Sequence, residues 1–121
     1  MIVDDDDGMC ETLLDILEDK GYSVVTAKDG PSALAEAWSR HFDLALIDMV
    51  MPGMNGVETL REIKRLGPET KTVIMTGYDT LEGIVPDVLK LGVEGVLYKP
   101  FEIDTIVEMI ESKLEAHTGL P

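Results

Sequence analysis

Leu44-Ala45-Leu46-Ile47-Asp48 is the stretch on which the fold turns. Four consecutive apolar residues with no polar alternation describe a strand covered on both faces, and such strands belong to parallel sheets enclosed by helices. The run ends on a carboxylate. In open α/β sheets the ligand crevice lies outside the carboxyl ends of the strands, so Asp48 occupies a position where a site forms.

The same pattern repeats on either side of this run. Ile2 and Val3 start a strand that leads directly into Asp4 and Asp5, and Cys10, Leu13, Leu14 and Leu17 then recur at helical spacing, with Gly8 as the expected cap and Glu11 three residues on. Tyr22 to Val25 reads as the second strand, between Gly21 and the Asp29-Gly30-Pro31 turn, where Pro31 suits a first helical position. Ala33, Leu34, Ala37 and Trp38 are the expected buried face of the second helix. After Asp48, Asn55 and Glu58 form a capping box for a third helix carrying Val57, Leu60 and Ile63, which stops at Gly67-Pro68.

Lys71 to Met75 is the fourth strand and delivers Thr76. A fourth helix is expected from Ile84 to Leu91, starting late near Pro86, because an interior proline costs about 3 kcal/mol. Gly92 closes it, Gly95 to Tyr98 is the fifth strand, and Ile103, Ile106, Val107, Ile110 and Leu114 mark a final helix. The expected domain covers 1–116, with 117–121 as a frayed tail or the start of a linker. Five strands alternating with five helices predict a doubly wound α/β fold, flavodoxin-like, with strand order 2-1-3-4-5.

That order makes strands one and three neighbours at the switch point. Asp4, Asp5 and Asp48 then meet at one crevice, with Thr76 and Lys99 arriving from the next strands outward. Crowded carboxylates repel one another unless a cation joins them, and hard oxygen ligands suit Mg²⁺. A hydroxyl and an ammonium beside them complete a site suited to phosphoryl chemistry.

Composition narrows the classes. A chain of 121 residues with 45% apolar residues makes one domain with an adequate core. Its 24 acidic and 10 basic residues give a net charge of -14, a surface that argues against direct nucleic-acid binding or attachment to anionic membranes. Cys10 is the single cysteine, so neither a disulfide framework nor a cysteine zinc site can be built, and a buried reduced thiol is expected. With no membrane span and no export signal visible, cytoplasm is the expected location.

Val3-Asp4-Asp5, Asp48 followed by Met51-Pro52-Gly53-Met54-Asn55-Gly56, Thr76-Gly77, and Lys99-Pro100-Phe101, in this order and at strand ends, resemble the receiver domain of two-component response regulators. The resemblance runs over essentially the whole chain. It implies that Asp48 accepts a phosphoryl group from a phosphohistidine of a sensor histidine kinase or a histidine phosphotransfer protein. It further implies that Asp5, Asp48 and the backbone carbonyl of Val50 ligate Mg²⁺, with Asp4 acting mostly through a bound water. Lys99 is expected to pair with Asp48 and then with a phosphoryl oxygen, and Thr76 to move its hydroxyl onto the phosphoryl group. The Lys99-Pro100 bond is expected to be cis. Such a domain is not an enzyme in the turnover sense, since it catalyses only its own phosphorylation and slow dephosphorylation. The resemblance also implies partner binding or homodimerisation through the fourth helix, fifth strand and last helix, and an output domain in a longer chain.

This sequence departs from the family at three places. The position three before the lysine, usually Tyr or Phe, is Val96, and Tyr98 or Tyr78 is the expected substitute. The positions two beyond Asp48 and two beyond Thr76 are Val50 and Tyr78, which should hinder an attacking water and slow dephosphorylation. Pro86 predicts a short fourth helix.

Other readings are weaker. A calcium loop through Asp5, Asp7 and Gly8 would put Val3 and Leu14 at ligand positions that need oxygen. A haloacid-dehalogenase-like phosphatase could use Asp4 and Asp6 but needs a longer chain with a cap. A degenerate receiver acting only as an interaction or dimerisation module is the remaining alternative. His41 and His117 are expected to be solvated, Trp38 to pack on its helix, and Met49, Met51, Met54 and Met75 to pack around the site.

Overall fold

The structure, a computed structural model, describes residues 1–49, 56–77, 88, 90–98 and 102–118. In chain order the elements are β1 (Ile2–Val3), α1 (Asp7–Asp19), β2 (Thr26–Ala27), α2 (Gly30–Ser39), β3 (Leu44–Asp48), α3 (Gly56–Leu66), β4 (Lys71–Thr76), β5 (Gly95–Tyr98) and α4 (Ile103–Thr118). All pairings are parallel and the sheet order is β2-β1-β3-β4-β5, as the sequence predicts.

The unbroken apolar runs have their reason in two cores. Val3, Ala45, Ile47 and Ile74 pack toward α2 and α3 with Ala33, Leu60 and Ile63. Ile2, Leu44, Leu46, Val73, Met75 and Leu97 pack toward α1 and α4 with Cys10, Leu13, Leu17, Ile106 and Ile110. Successive residues of β1 and β3 therefore enter opposite cores, which leaves no position of these two strands free to be polar until the tip.

Several expectations need correction. The second strand is Thr26–Ala27 rather than Tyr22 to Val25. Its ladder is limited by the two-residue β1, through Ile2↔Thr26 and Val3↔Ala27, while Val25 contributes one carbonyl, which accepts from Ile2 N–H at 2.8 Å. Tyr22 instead follows the end of α1. There Gly21, at φ 95°, lets its own N–H reach Glu18 O and that of Tyr22 reach Leu17 O, both at 3.0 Å, a Schellman closure.

The cap of α1 is Asp6, whose carboxylate accepts from Met9 N–H at 3.1 Å, and Gly8 lies inside the first turn. An acidic side chain both accepts from an orphan amide and meets the positive end of the helix, which glycine cannot do. Trp38 is 76% exposed instead of packing. Ala33, Leu34 and Ala37 already fill the inner face of α2. At 3.6 residues per turn, position 38 falls about 140° round from position 33 and clears the core.

Of the expected fourth helix, Pro86 and most of the segment lie outside the described residues. Val88, Lys90 and Leu91 are helical, and Gly92 follows at φ 75°. The final helix runs to Thr118, two residues past the expected domain end, and residues 119–121 lie outside the described set. Among the described residues no helix is long and apolar enough to cross a membrane.

Candidate functional site

The site is built by register. Val3 pairs with Ile47, so Asp4 and Asp48 are the residues at which the two central strands run out. Asp5 follows in the loop to α1. One carboxylate oxygen from each of Asp4, Asp5 and Asp48 lies within 4.8 Å of the others, and Asp4 and Asp48 are buried whereas Asp5 is exposed.

Each neighbour holds this cluster in place. Asp4 Oδ1 accepts from Asp6 N–H at 2.9 Å, so the residue that caps α1 also orients the first carboxylate. Asp4 N–H donates to Ala27 O at 3.0 Å, tying the strand end to β2. Beyond Asp48 the chain is anchored by Met49 N–H donating to Met75 O at 2.9 Å. Gly56, at the start of α3, is pressed against this anchor, since a Cβ there would lie 3.0 Å from Met49 Cα.

Cys10 sits below the cluster with its thiol 3.6 Å from Asp4 O. Burial first, then the charges of Asp4, Asp6 and Asp7, push its pKa up to about 11. The thiol stays protonated and offers no competing soft ligand.

The donor set fits a hard divalent ion. Three carboxylates and no nitrogen or sulfur suit Mg²⁺, and the exposed Asp5 leaves one side open to the waters that Mg²⁺ retains. Thr76, fully buried at the end of β4, donates its hydroxyl to Gly77 O at 3.3 Å, and its register partner on β5 is Tyr98. Val50, Tyr78, Lys99 and the Lys99-Pro100 bond lie outside the described residues. Met49 and Met75 are buried as expected, while Met51 and Met54 lie outside that set. His41 is exposed and lies 3.6 Å from Asp43.

One charged strand-end residue escaped the sequence reading. With β2 ending at Ala27, Lys28 follows it just as Asp4 follows Val3. Lys28 Nζ reaches Asp7 Oδ1 at 2.9 Å across the loop after β1. Placing the second strand at Tyr22 to Val25 hid this position; the Thr-Ala pair before Lys28 carries too little apolar signal to reveal it.

Comparison with known proteins gives the same picture. The family model described as response regulator receiver domain matches residues 1–111. The transcriptional regulatory protein ZraR of Escherichia coli O157:H7 is 41% identical over 120 residues, covering 99% of this chain but only 27% of that protein. The nitrogen assimilation regulatory protein NtrX of Azorhizobium caulinodans is 38% identical over 117 residues, covering 95% of this chain and 26% of its own length. A CheY-like receiver domain from Methanospirillum hungatei JF-1 superposes with a TM-score of 0.87 at 35% identity, covering 98% of this chain and 94% of that one. The parallel sheet, the acidic cluster at its switch point and a family match over nearly the whole chain agree: this chain belongs to the response regulator receiver domain family.

Proposed function

We propose that the chain is a phosphoacceptor signalling domain in which Asp48 takes a phosphoryl group from a phosphohistidine of a sensor histidine kinase or a histidine phosphotransfer protein. The observation that carries this reading is the carboxylate trio, its oxygens within 4.8 Å, at the switch point of a receiver fold. In the transfer an Asp48 oxygen forms the new P–O bond, the P–N bond of the donor breaks, and the released imidazole takes up a proton. Such chemistry asks the protein for position and charge neutralisation.

Asp4, Asp5, Asp48 and the Val50 carbonyl are the groups assigned to hold Mg²⁺, Asp4 mostly through water. When bound, the ion neutralises charge on the phosphoryl oxygens. Lys99 is assigned to pair with Asp48 and then with the phosphoryl group, and Thr76 to bring its hydroxyl to it. The domain serves as an acceptor and switch in the cytoplasm and does not turn over substrate. Partner binding or homodimerisation is assigned to the face of the fourth helix, β5 and the last helix. The greater length of the curated relatives supports an output domain in a longer chain.

Incubating the chain with acetyl phosphate and Mg²⁺, followed by intact mass and peptide mapping, tests the reading. One stable phosphoryl group on Asp48, lost with chelator and in Asp48→Asn, is the expected result. Multiple turnover of the donor would instead identify a phosphatase, and no modification at all an interaction module.

A further inference from the structure

The sheet register sets a row of charged residues along the strand ends: Lys28 after β2, Asp4 after β1 and Asp48 at the tip of β3. Adjacent strands lie about 5 Å apart, so Lys28 leaves the sheet next to a buried carboxylate of the cluster. A bare ammonium there would oppose a divalent cation. Asp7, two residues beyond Asp5, meets it at 2.9 Å, and both side chains are largely solvent-exposed, at 70% and 64%.

An exposed pair of this kind adds little to stability. Its electrical effect on the neighbouring site is another matter, because each partner cancels a charge that the cation would otherwise feel. We infer that the pairing of Lys28 with Asp7 keeps the rim of the Asp4, Asp5 and Asp48 cluster electrically neutral, so that loss of either partner alone, but not of both, shifts the divalent-cation affinity of the cluster. The inference rests on the proposed metal site. Neither residue touches the ion; both act on it through the field.

The two single deletions therefore have opposite signs. Lys28→Ala exposes the Asp7 carboxylate and strengthens binding, whereas Asp7→Asn exposes the Lys28 ammonium and weakens it. For a divalent ion on the order of 10 Å away in a water-like dielectric, each change amounts to about fourfold at low ionic strength. Near 0.15 M salt, where the Debye length is about 8 Å, the effect falls below about twofold.

Titration calorimetry with MgCl₂ on the 121-residue chain tests this. The expected result is tighter binding in Lys28→Ala, weaker binding in Asp7→Asn, and near wild-type affinity in Lys28→Arg and in the double variant Lys28→Ala/Asp7→Asn, all differences shrinking with salt. A mere structural role in ordering the loop would weaken binding in both single variants and would overturn the inference. Equal affinities in all variants, with a wild type that saturates, would overturn it while leaving the metal site intact. A wild type that binds no Mg²⁺ would overturn the metal site and this inference with it.

Discussion

Thr76 and Tyr98 are register partners on β4 and β5, the first fully buried and the second 38% exposed. In a parallel pair, residues in register project to the same face, so the hydroxyl assigned to the phosphoryl group and a surface tyrosine share one side of the sheet. Val96, two residues earlier on that side, is packed against the core cluster of Ile47 and Ile74.

Tyr98 is the residue expected to carry the state of Thr76 outward. Tyr98→Ala is expected to reduce the phosphorylation-dependent change in partner affinity or self-association about fivefold or more, the scale of a coupling near 1 kcal/mol. Tyr98→Phe should retain most of it. Sedimentation of the chain with and without acetyl phosphate measures the effect on self-association, and an unaltered response in Tyr98→Ala would exclude the residue from the relay.

The acyl phosphate should be long-lived. Apolar Val50 and bulky Tyr78 are expected to obstruct an in-line water, so Val50→Asn combined with Tyr78→Glu should shorten the half-life about tenfold, a change of roughly 1.4 kcal/mol in the barrier. Decay of the modified mass after removal of the donor reads this out; an unchanged half-life speaks against the obstruction.

The Met1 amino group gives the 121-residue chain a pH dependence at the other end of the sheet. It donates to Leu44 O at 2.9 Å, and burial lowers its pKa from 8.0 to about 5 despite the nearby Asp43. Between these values the unfolded chain holds a proton that the folded chain has released, so stability rises with pH from about 5 to 8 and levels off above. The rise is at most on the order of 4 kcal/mol for this group. Urea unfolding at pH 5.5 and 8.0 should show it. In a variant with two residues placed before Met1, turning the amine into an amide, this part of the slope should vanish.

Gly56→Ala should harm both stability and acceptor function. The added methyl would lie 3.0 Å from Met49 Cα and 3.1 Å from Met49 O, and backbone cannot move aside as a flexible side chain can. A loss of about 1–3 kcal/mol is expected. Because the displaced backbone leads directly from Asp48, phosphorylation by acetyl phosphate should also slow in the fraction that folds, which a rate measured in stabilising osmolyte would separate from unfolding.

Much of this protein is written locally. Leu44 to Ile47 could be recognised as a parallel strand because both sheet faces are covered there, which leaves no place for polar residues, and the carboxylates after Val3 and Ile47 followed from where the apolar runs stop. What depends on a distant partner was not legible. The short β2 exists only where the two residues of β1 pair with it, so its position, and with it the place of Lys28 beside Asp4, came from the assembled sheet. Trp38 is apolar and near helical spacing, yet the core was already filled by its neighbours on α2. The strand order read from the sequence already brought Asp4, Asp5 and Asp48 to one crevice, whereas the capping of α1 by Asp6 in place of Gly8 and the closeness of the three carboxylate oxygens, within 4.8 Å, came from the folded loop after β1. Composition and periodicity mark the ends of the apolar strands; the ends of a short strand such as β2, and the register between strands, are decided by pairing across the sheet, because register is a relation between segments and no single segment carries it.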